Sequence, residues 1–254
     1  MGRGSAETST HPSSPVPIPL IRHPPSPIPH PAYACHVQPD TGRLAMPLGE
    51  ALFSQRSIRK FRPDPIPTAD LQLILEAANK APSGGNRQPG RFLVLTDPDL
   101  IRQFGALYRE AWWAKRRDEH QPWTSLREIP PEQRNQRAAA QLADEMQAAP
   151  CVVLAFSTGK GQASSVIPAV QNLMLAARAL GVGSVPTTLH PQVMDRVYQL
   201  LGVPPEMDFH LCIPLGYPRG NFGPTQRLPT AETTFFNHWG MRAPWAAASA
   251  TVGS

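Results

Sequence analysis

Cys151-Val152-Val153-Leu154-Ala155-Phe156, followed after a short glycine loop by SSVIPAVQNLMLAARALG over 164–181, is the stretch on which the fold turns. An apolar run with no polar position predicts a strand buried on both faces, because a half-exposed strand alternates apolar and polar residues. The 164–180 stretch is apolar almost all round, with Gln171, Asn172 and Arg178 as the main polar exceptions. A helix there must be covered on more than one side, either as the central helix of a large core or as a subunit-interface helix. Gly181 stands where a C-terminal glycine cap is expected.

Working outward, Met46-Pro47 opens a first helix, and Thr68 is placed to cap a helix with Leu71, Ile74, Leu75 and Ala78 on one face. Residues 91–96 read as a strand, and Asp97-Pro98 supplies an N-cap and a proline for a helix running towards Lys115. An irregular stretch (117–131) and a helix (132–147) precede the buried strand. After Gly181 come a short strand (183–189), a helix carrying Val193, Val197, Leu200 and Leu201 and closed by Gly202, and a last core strand at 209–215. Strands separated in this way by helices indicate a layered α/β or α+β body.

The chain has 254 residues and 31 prolines, and eleven of those prolines lie in the first 47 residues. The composition of 1–45 predicts a disordered Pro/Ser/His-rich tail, leaving 46–254 as one domain or a subunit built to dimerise. His11, His23, His30 and His36 are too widely spaced for a preformed metal site, and no metal is expected. Three cysteines with no C-x-x-C pair argue against a disulfide scaffold and for a reducing, cytoplasmic setting. The net charge is +5, but only 17% of residues are charged and no Lys/Arg run is long, which favours a small anionic ligand over nucleic acid. No apolar run reaches the roughly 18 residues of a membrane span.

Gly159-Lys160-Gly161-Gln162-Ala163-Ser164 imitates a dinucleotide fingerprint, but Ser164 replaces its third glycine and Gly181 stands near where an acidic ribose ligand belongs. It reads as a plain strand-to-helix loop. H-E-x-x-H and G-x-S-x-G are missing too, which leaves no dedicated nucleophile, acid or base. Three polar loops remain. In Gln55-Arg56-Ser57-Ile58-Arg59-Lys60-Phe61, alternation puts Ser57 and Arg59 on one side and Ile58 on the other, and a guanidinium fork beside a hydroxyl suits a phosphate. In Pro82-Ser83-Gly84-Gly85-Asn86-Arg87-Gln88-Pro89, the glycines admit close backbone approach and the amides can address a planar heterocycle. The third, 220–229, ends around Arg227. Each, taken alone, also reads as an ordinary surface turn.

Taken in order, Arg56-Ser57-x-Arg59-x-Phe61, Ala81-Pro82-Ser83-x-x-Asn86-x-Gln88-Pro89, the 168–177 helix running into Gly181-x-Gly183, and Gly216-Tyr217-Pro218 with Phe222-Gly223-Pro224-x-x-Arg227-x-Pro229 and Trp239-Gly240 resemble the FMN-dependent nitroreductase family. The resemblance spans 48–240 and is weakest at 112–140. It implies an α+β fold with a central mixed sheet flanked by helices, in an intertwined homodimer with FMN sites at the interface. It assigns Arg56, Ser57, Arg59 and Arg227 to the flavin phosphate and ribityl chain. Ser83, Gly84, Asn86 and Gln88 would reach the flavin from the partner subunit. Pro186, Thr187 and Thr188 would lie along the ring, a backbone N–H facing its N5. Gln55 departs from the pattern, where many relatives carry a further arginine. The activity implied is transfer of a hydride from NAD(P)H through the flavin to a small acceptor such as a nitroaromatic or quinone, with ping-pong kinetics. Trp112, Trp113 and Phe222 are candidates for the acceptor pocket. The alternatives are reductive dehalogenation, flavin destruction, or flavin sequestration without turnover.

Overall fold

The computed structural model describes Met1 and residues 39–246. Seven helices, α1 (Leu48–Ser54), α2 (Thr68–Asn79), α3 (Pro98–Asp118), α4 (Arg134–Glu145), α5 (Ala163–Ala179), α6 (Pro191–Leu201) and α7 (Thr230–Thr233), accompany four strands, β1 (Gly90–Leu95), β2 (Cys151–Thr158), β3 (Gly183–Ser184) and β4 (Met207–Gly216). The strands form one sheet in the order β1-β2-β4-β3, with every neighbouring pair antiparallel. The parallel element of the expected mixed sheet is, among the described residues, one bridge between Ser57 and Ser184.

Both faces of the sheet are covered, which is why β2 carries no polar position until its end. Val152, Leu154 and Phe156 point into a core shared with α3, α4 and α6. Cys151, Val153 and Ala155 point into the opposite core, shared with α2 and α5. Helix α5 is buried or half-buried apart from an exposed stripe of Ser164, Ile167 and Gln171. Its other polar residues are tied down: Asn172 donates to the carbonyl of Ala77 (3.2 Å), and Arg178 Nε donates to Ser54 Oγ (2.9 Å). At its end Gly181 (φ 74°) donates to the Arg178 carbonyl and Val182 to that of Ala177, the paired bonds of a left-handed glycine cap.

The other helix ends divide. Asp97 caps α3 by accepting from the N–H groups of Asp99 and Leu100, and Gly202 (φ 63°) closes α6, as expected. Thr68 does not cap α2; it is the first helical residue, and Pro67 holds the cap position without a side-chain bond. Of the expected tail, residues 2–38, with Cys35 and all four of its histidines, lie outside the described residues. Thr41–Leu44 form a 3-10 turn whose Arg43 pairs with the buried carboxylate of Asp70, and Leu44 packs against the α2/α5 core.

The short strand expected over 183–189 is interrupted. Gly183 pairs with Gly216 and Ser184 with Leu215, and the same register resumes only where Thr187 meets Cys212. Between them that register would oppose Val185 to Pro214 and Pro186 to Ile213. Val185–Pro214 is the pair that would exchange hydrogen bonds, two positions from the bonded Thr187–Cys212 pair, and Pro214 has no N–H to give, so the ladder breaks there.

Candidate functional site

The 57–62 segment is fastened along the end of the sheet. Ile58 donates its N–H to Ser184 O (2.9 Å), Arg62 donates to Tyr217 O (2.8 Å), and Arg219 donates its N–H to Lys60 O (3.0 Å) and its Nε to Phe61 O (2.7 Å). Two glycines facing each other across the β3–β4 pair make room for it. A β-carbon on Gly183 would fall 2.7 Å from Ile58 Cγ2, and one on Gly216 would fall 2.9 Å from Phe61 Cβ. Ile58 and Phe61 are thereby buried, while Arg56 and Ser57 stay exposed and Arg59 half-buried, as the alternation predicts.

Among the described residues neither Arg56 nor Arg59 has an ion-pair or hydrogen-bond partner. Burial draws the Arg59 guanidinium below its ordinary value; Tyr108 offsets part of this, and the charge of Arg56 adds to it. It remains charged, because an arginine this accessible does not lose its proton. An unpaired, partly desolvated cation beside Ser57 and a second arginine has the chemistry to receive an anion.

The 83–88 loop is strained. Gly85, Asn86 and Gln88 all lie in the left-handed region (φ 58°, 53° and 50°), where the two non-glycine residues each cost on the order of 1–2 kcal/mol. Local bonds hold it: Gln88 N–H to Ser83 Oγ (3.1 Å), Gln88 Nε2 to Asn86 Oδ1 (3.2 Å), and Gly84 N–H to Ser165 Oγ on α5 (3.2 Å). The amide ends of Asn86 and Gln88 remain at the surface.

Along 186–188 the residues differ in what they can offer. Pro186 has no N–H. Thr187 gives its N–H to Cys212 O (2.9 Å) and accepts from Cys212 N–H (2.8 Å), and its Oγ1 lies 2.9 Å from the hydroxyl of Tyr108 on α3. The N–H of Thr188, an exposed residue, has no partner among the described residues. Thr188 is thus the one residue of the three with a backbone donor to spare.

Arg227 is exposed, and its guanidinium hydrogen-bonds back to Gln226 O (2.8 Å); no described hydrogen bond or ion pair joins it to the 55–61 segment. Trp113 is buried with Ile129 and Ala140 and is not an open pocket wall, while Trp112, half-buried, packs between that cluster and the main core. Phe222 lies under Arg178, whose guanidinium carbon is 4.1 Å from the ring centroid. The 159–161 loop has both glycines left-handed (φ 78° and 75°), which explains them as a turn. Gln55 is turned to Met174, its Nε2 3.7 Å from the sulfur.

Two features escaped the sequence reading. Tyr108 is one; it continues the apolar stripe Ile101, Phe104, Ala111 of α3, so periodicity places it in the core but does not reveal a partner 79 positions away. The room-making role of Gly183 and Gly216 is the other. Among the described residues no three His, Cys, Asp or Glu cluster as a metal site, and no helix is long and apolar enough to cross a membrane.

A family model described as the nitroreductase family matches residues 52–217. The chain is 32% identical to an iodotyrosine deiodinase from Thermotoga neapolitana, over 65% of this chain and 84% of that protein. It is 32% identical to an NADH dehydrogenase from Thermus thermophilus, over 70% and 90%. It is 33% identical to a 5,6-dimethylbenzimidazole synthase from Rhodospirillum rubrum, over 67% and 82%. Among solved structures, an oxidised iodotyrosine deiodinase bound to FMN and 3-iodo-L-tyrosine superposes with a TM-score of 0.57 at 28% identity, covering 72% of this chain and 94% of that one.

Proposed function

The chain belongs to the nitroreductase family, and from that premise we propose that it is an FMN-dependent oxidoreductase taking electrons from NAD(P)H to a small acceptor. The observation that carries this reading is the unpaired Arg59, fastened beside Ser57 and Arg56 at the end of the sheet whose other loop leaves the N–H of Thr188 free. Arg56, Ser57, Arg59 and Arg227 would hold the phosphate and ribityl chain. Thr188, with Pro186 beside it, would address the ring, with Thr187 behind them. When bound, FMN supplies the hydride chemistry, so the protein needs no acid, base or nucleophile of its own.

We read the protein as a homodimer. Leu48, Leu52 and Phe53 on α1, Ile167 on α5, and Phe235, Phe236, Trp239, Met241 and Trp245 near the C-terminal end are all exposed, Phe53 by 78% and Trp239 by 90%. A groove of about 370 Å³ lined by Leu44, Leu48, Leu73 and Leu175 runs beside α1. Apolar surface on this scale is the mark of an interface. In that dimer Ser83, Gly84, Asn86 and Gln88 would serve the partner's flavin. A reducing cytoplasm suits Cys151 and Cys212, both unpaired and buried.

The test is steady-state kinetics on flavin-loaded protein with NADH or NADPH varied against a panel of nitroaromatics, quinones and halogenated phenols. One open flavin face used in turn by donor and acceptor gives parallel double-reciprocal lines. Intersecting lines would mean that the donor has a separate site. The similarity to the deiodinase favours a second reading, reductive dehalogenation, and turnover confined to the halogenated phenols would select it.

A further inference from the structure

We propose that Tyr108 is a positioning residue for the ring-facing segment of the cofactor site, acting through Thr187 to set the backbone that presents Thr188. The inference rests on the FMN reading above and concerns the end of the site away from the phosphate.

The segment from Val185 to Leu189 is thinly held. Pro214, opposite Val185, has no N–H to give to the ladder between Ser184 and Thr187, so the segment's one return to the sheet is the Thr187–Cys212 bridge. Among the described residues, the Tyr108–Thr187 contact at 2.9 Å is the sole side-chain hydrogen bond to any residue of 185–189. Thr187 therefore has N–H, carbonyl and hydroxyl all engaged inward, and the next residue turns out to solvent with its N–H unengaged.

Tyr108 is suited to a fixed strut. It is 2% exposed, its ring lies against that of Phe104 (centroids 6.5 Å apart), and α3 carries it on a well-packed face. Burial, with the Cys212 thiol adding to it, holds the phenol above the ordinary tyrosine range, against the smaller opposing pull of the Thr187 bond and Arg59. The hydroxyl is thus a constant hydrogen-bonding group at any working pH. The same helix clamps the continuing chain: His190 Nε2 meets Asp118 Oδ2 at 2.8 Å, and Glu110 accepts from Gln192 and Arg196 (3.0 and 2.6 Å). Helix α3 is a splint along 187–196, and Tyr108 is its contact nearest the site.

The experiment measures binding of oxidised and of reduced FMN, and of riboflavin, to wild type, Tyr108→Phe, Thr187→Val and the double variant. Losing one hydrogen bond is worth about 0.5–1.5 kcal/mol, or roughly two- to tenfold in an equilibrium. We expect each single variant to move the ratio of oxidised to reduced FMN affinity by that factor, and riboflavin to follow FMN, because the target is the ring. The double variant should move it no further than the singles, and Thr187→Ser, which keeps the hydroxyl, should behave as wild type. An unchanged ratio in Tyr108→Phe, or effects that add in the double variant, would overturn the proposal. If wild type binds no flavin, the FMN reading fails separately. The strut is then judged in the apoprotein by exchange of the Thr187 amide: faster in Tyr108→Phe supports it, and equal rates overturn it.

Discussion

Gly183 and Gly216 pair directly across β3 and β4, and the absence of a side chain at both lets the 57–62 segment lie over the end of the sheet. Ile58 and Phe61 fill the space the missing β-carbons leave. Arg56 and Arg59, the proposed phosphate-binding arginines, are thus carried by a segment whose height above the sheet is set by two glycines.

Gly183→Ala and Gly216→Ala should each destabilise the fold by about 1–3 kcal/mol, the scale of overpacking, and should also weaken FMN by displacing Arg59. Gly49→Ala is the control: nothing lies within 4 Å of a β-carbon there, and alanine is the better helix former. Denaturant melts and FMN titrations of the three variants check this. Full stability and affinity in Gly216→Ala would mean that Phe61 moves without carrying the arginines.

Arg59→Ala and Arg227→Ala should each weaken FMN by about 1.5–3 kcal/mol, the scale of a hydrogen bond to a charged group, while riboflavin feels neither change. No described hydrogen bond or ion pair joins Arg227 to the 55–61 segment, so the Arg227→Ala result tests whether the two arginines meet on one phosphate. Calorimetric titration with both ligands separates a phosphate contact from a folding effect, which would weaken riboflavin equally.

Much of this was legible in the sequence. The 151–156 run and the 164–180 helix gave a two-faced core because burial on every side leaves no polar position, and the alternation at 57–61 correctly sorted Ile58 from Ser57 and Arg59. Local chemistry also marked the Asp97, Gly181 and Gly202 helix ends. What was not legible depends on distant residues. The break in the 183–189 strand arises because Pro214 falls opposite Val185, which only the β3–β4 register reveals. That the N–H of Thr187 belongs to Cys212 is likewise a long-range fact, and Tyr108 carries no local signal at all.

Helices α3 and α6 are joined by Glu110 and Arg196, whose hydrogen bond is the largest of the effects holding the Glu110 carboxyl below its ordinary range. A carboxylate lowered in the folded state adds stability above its unfolded pKa of about 4.3, and this is lost as pH falls through the lowered folded value. Both side chains are open to solvent, so the effect is small and salt-sensitive. Thermal melts of wild type and Glu110→Gln should differ at neutral pH and converge in acid; a gap that widens on acidification would contradict this sign.

The 83–88 loop should work in trans. Mixing a Ser83/Asn86 double variant with an Arg59/Arg227 double variant under subunit exchange should restore part of the activity, since one site of each heterodimer collects every defect and the other none. Activity in the mixture that never exceeds the parents would place the loop in its own subunit's site.

The most direct test of the central claim is an anaerobic titration of the FMN-loaded protein with NADH and with NADPH, followed in the visible flavin band. The account predicts that at least one of the two bleaches the flavin fully and that adding an acceptor restores the colour. A flavin that stays oxidised with both nicotinamides would contradict it and leave a protein that holds FMN without turning it over.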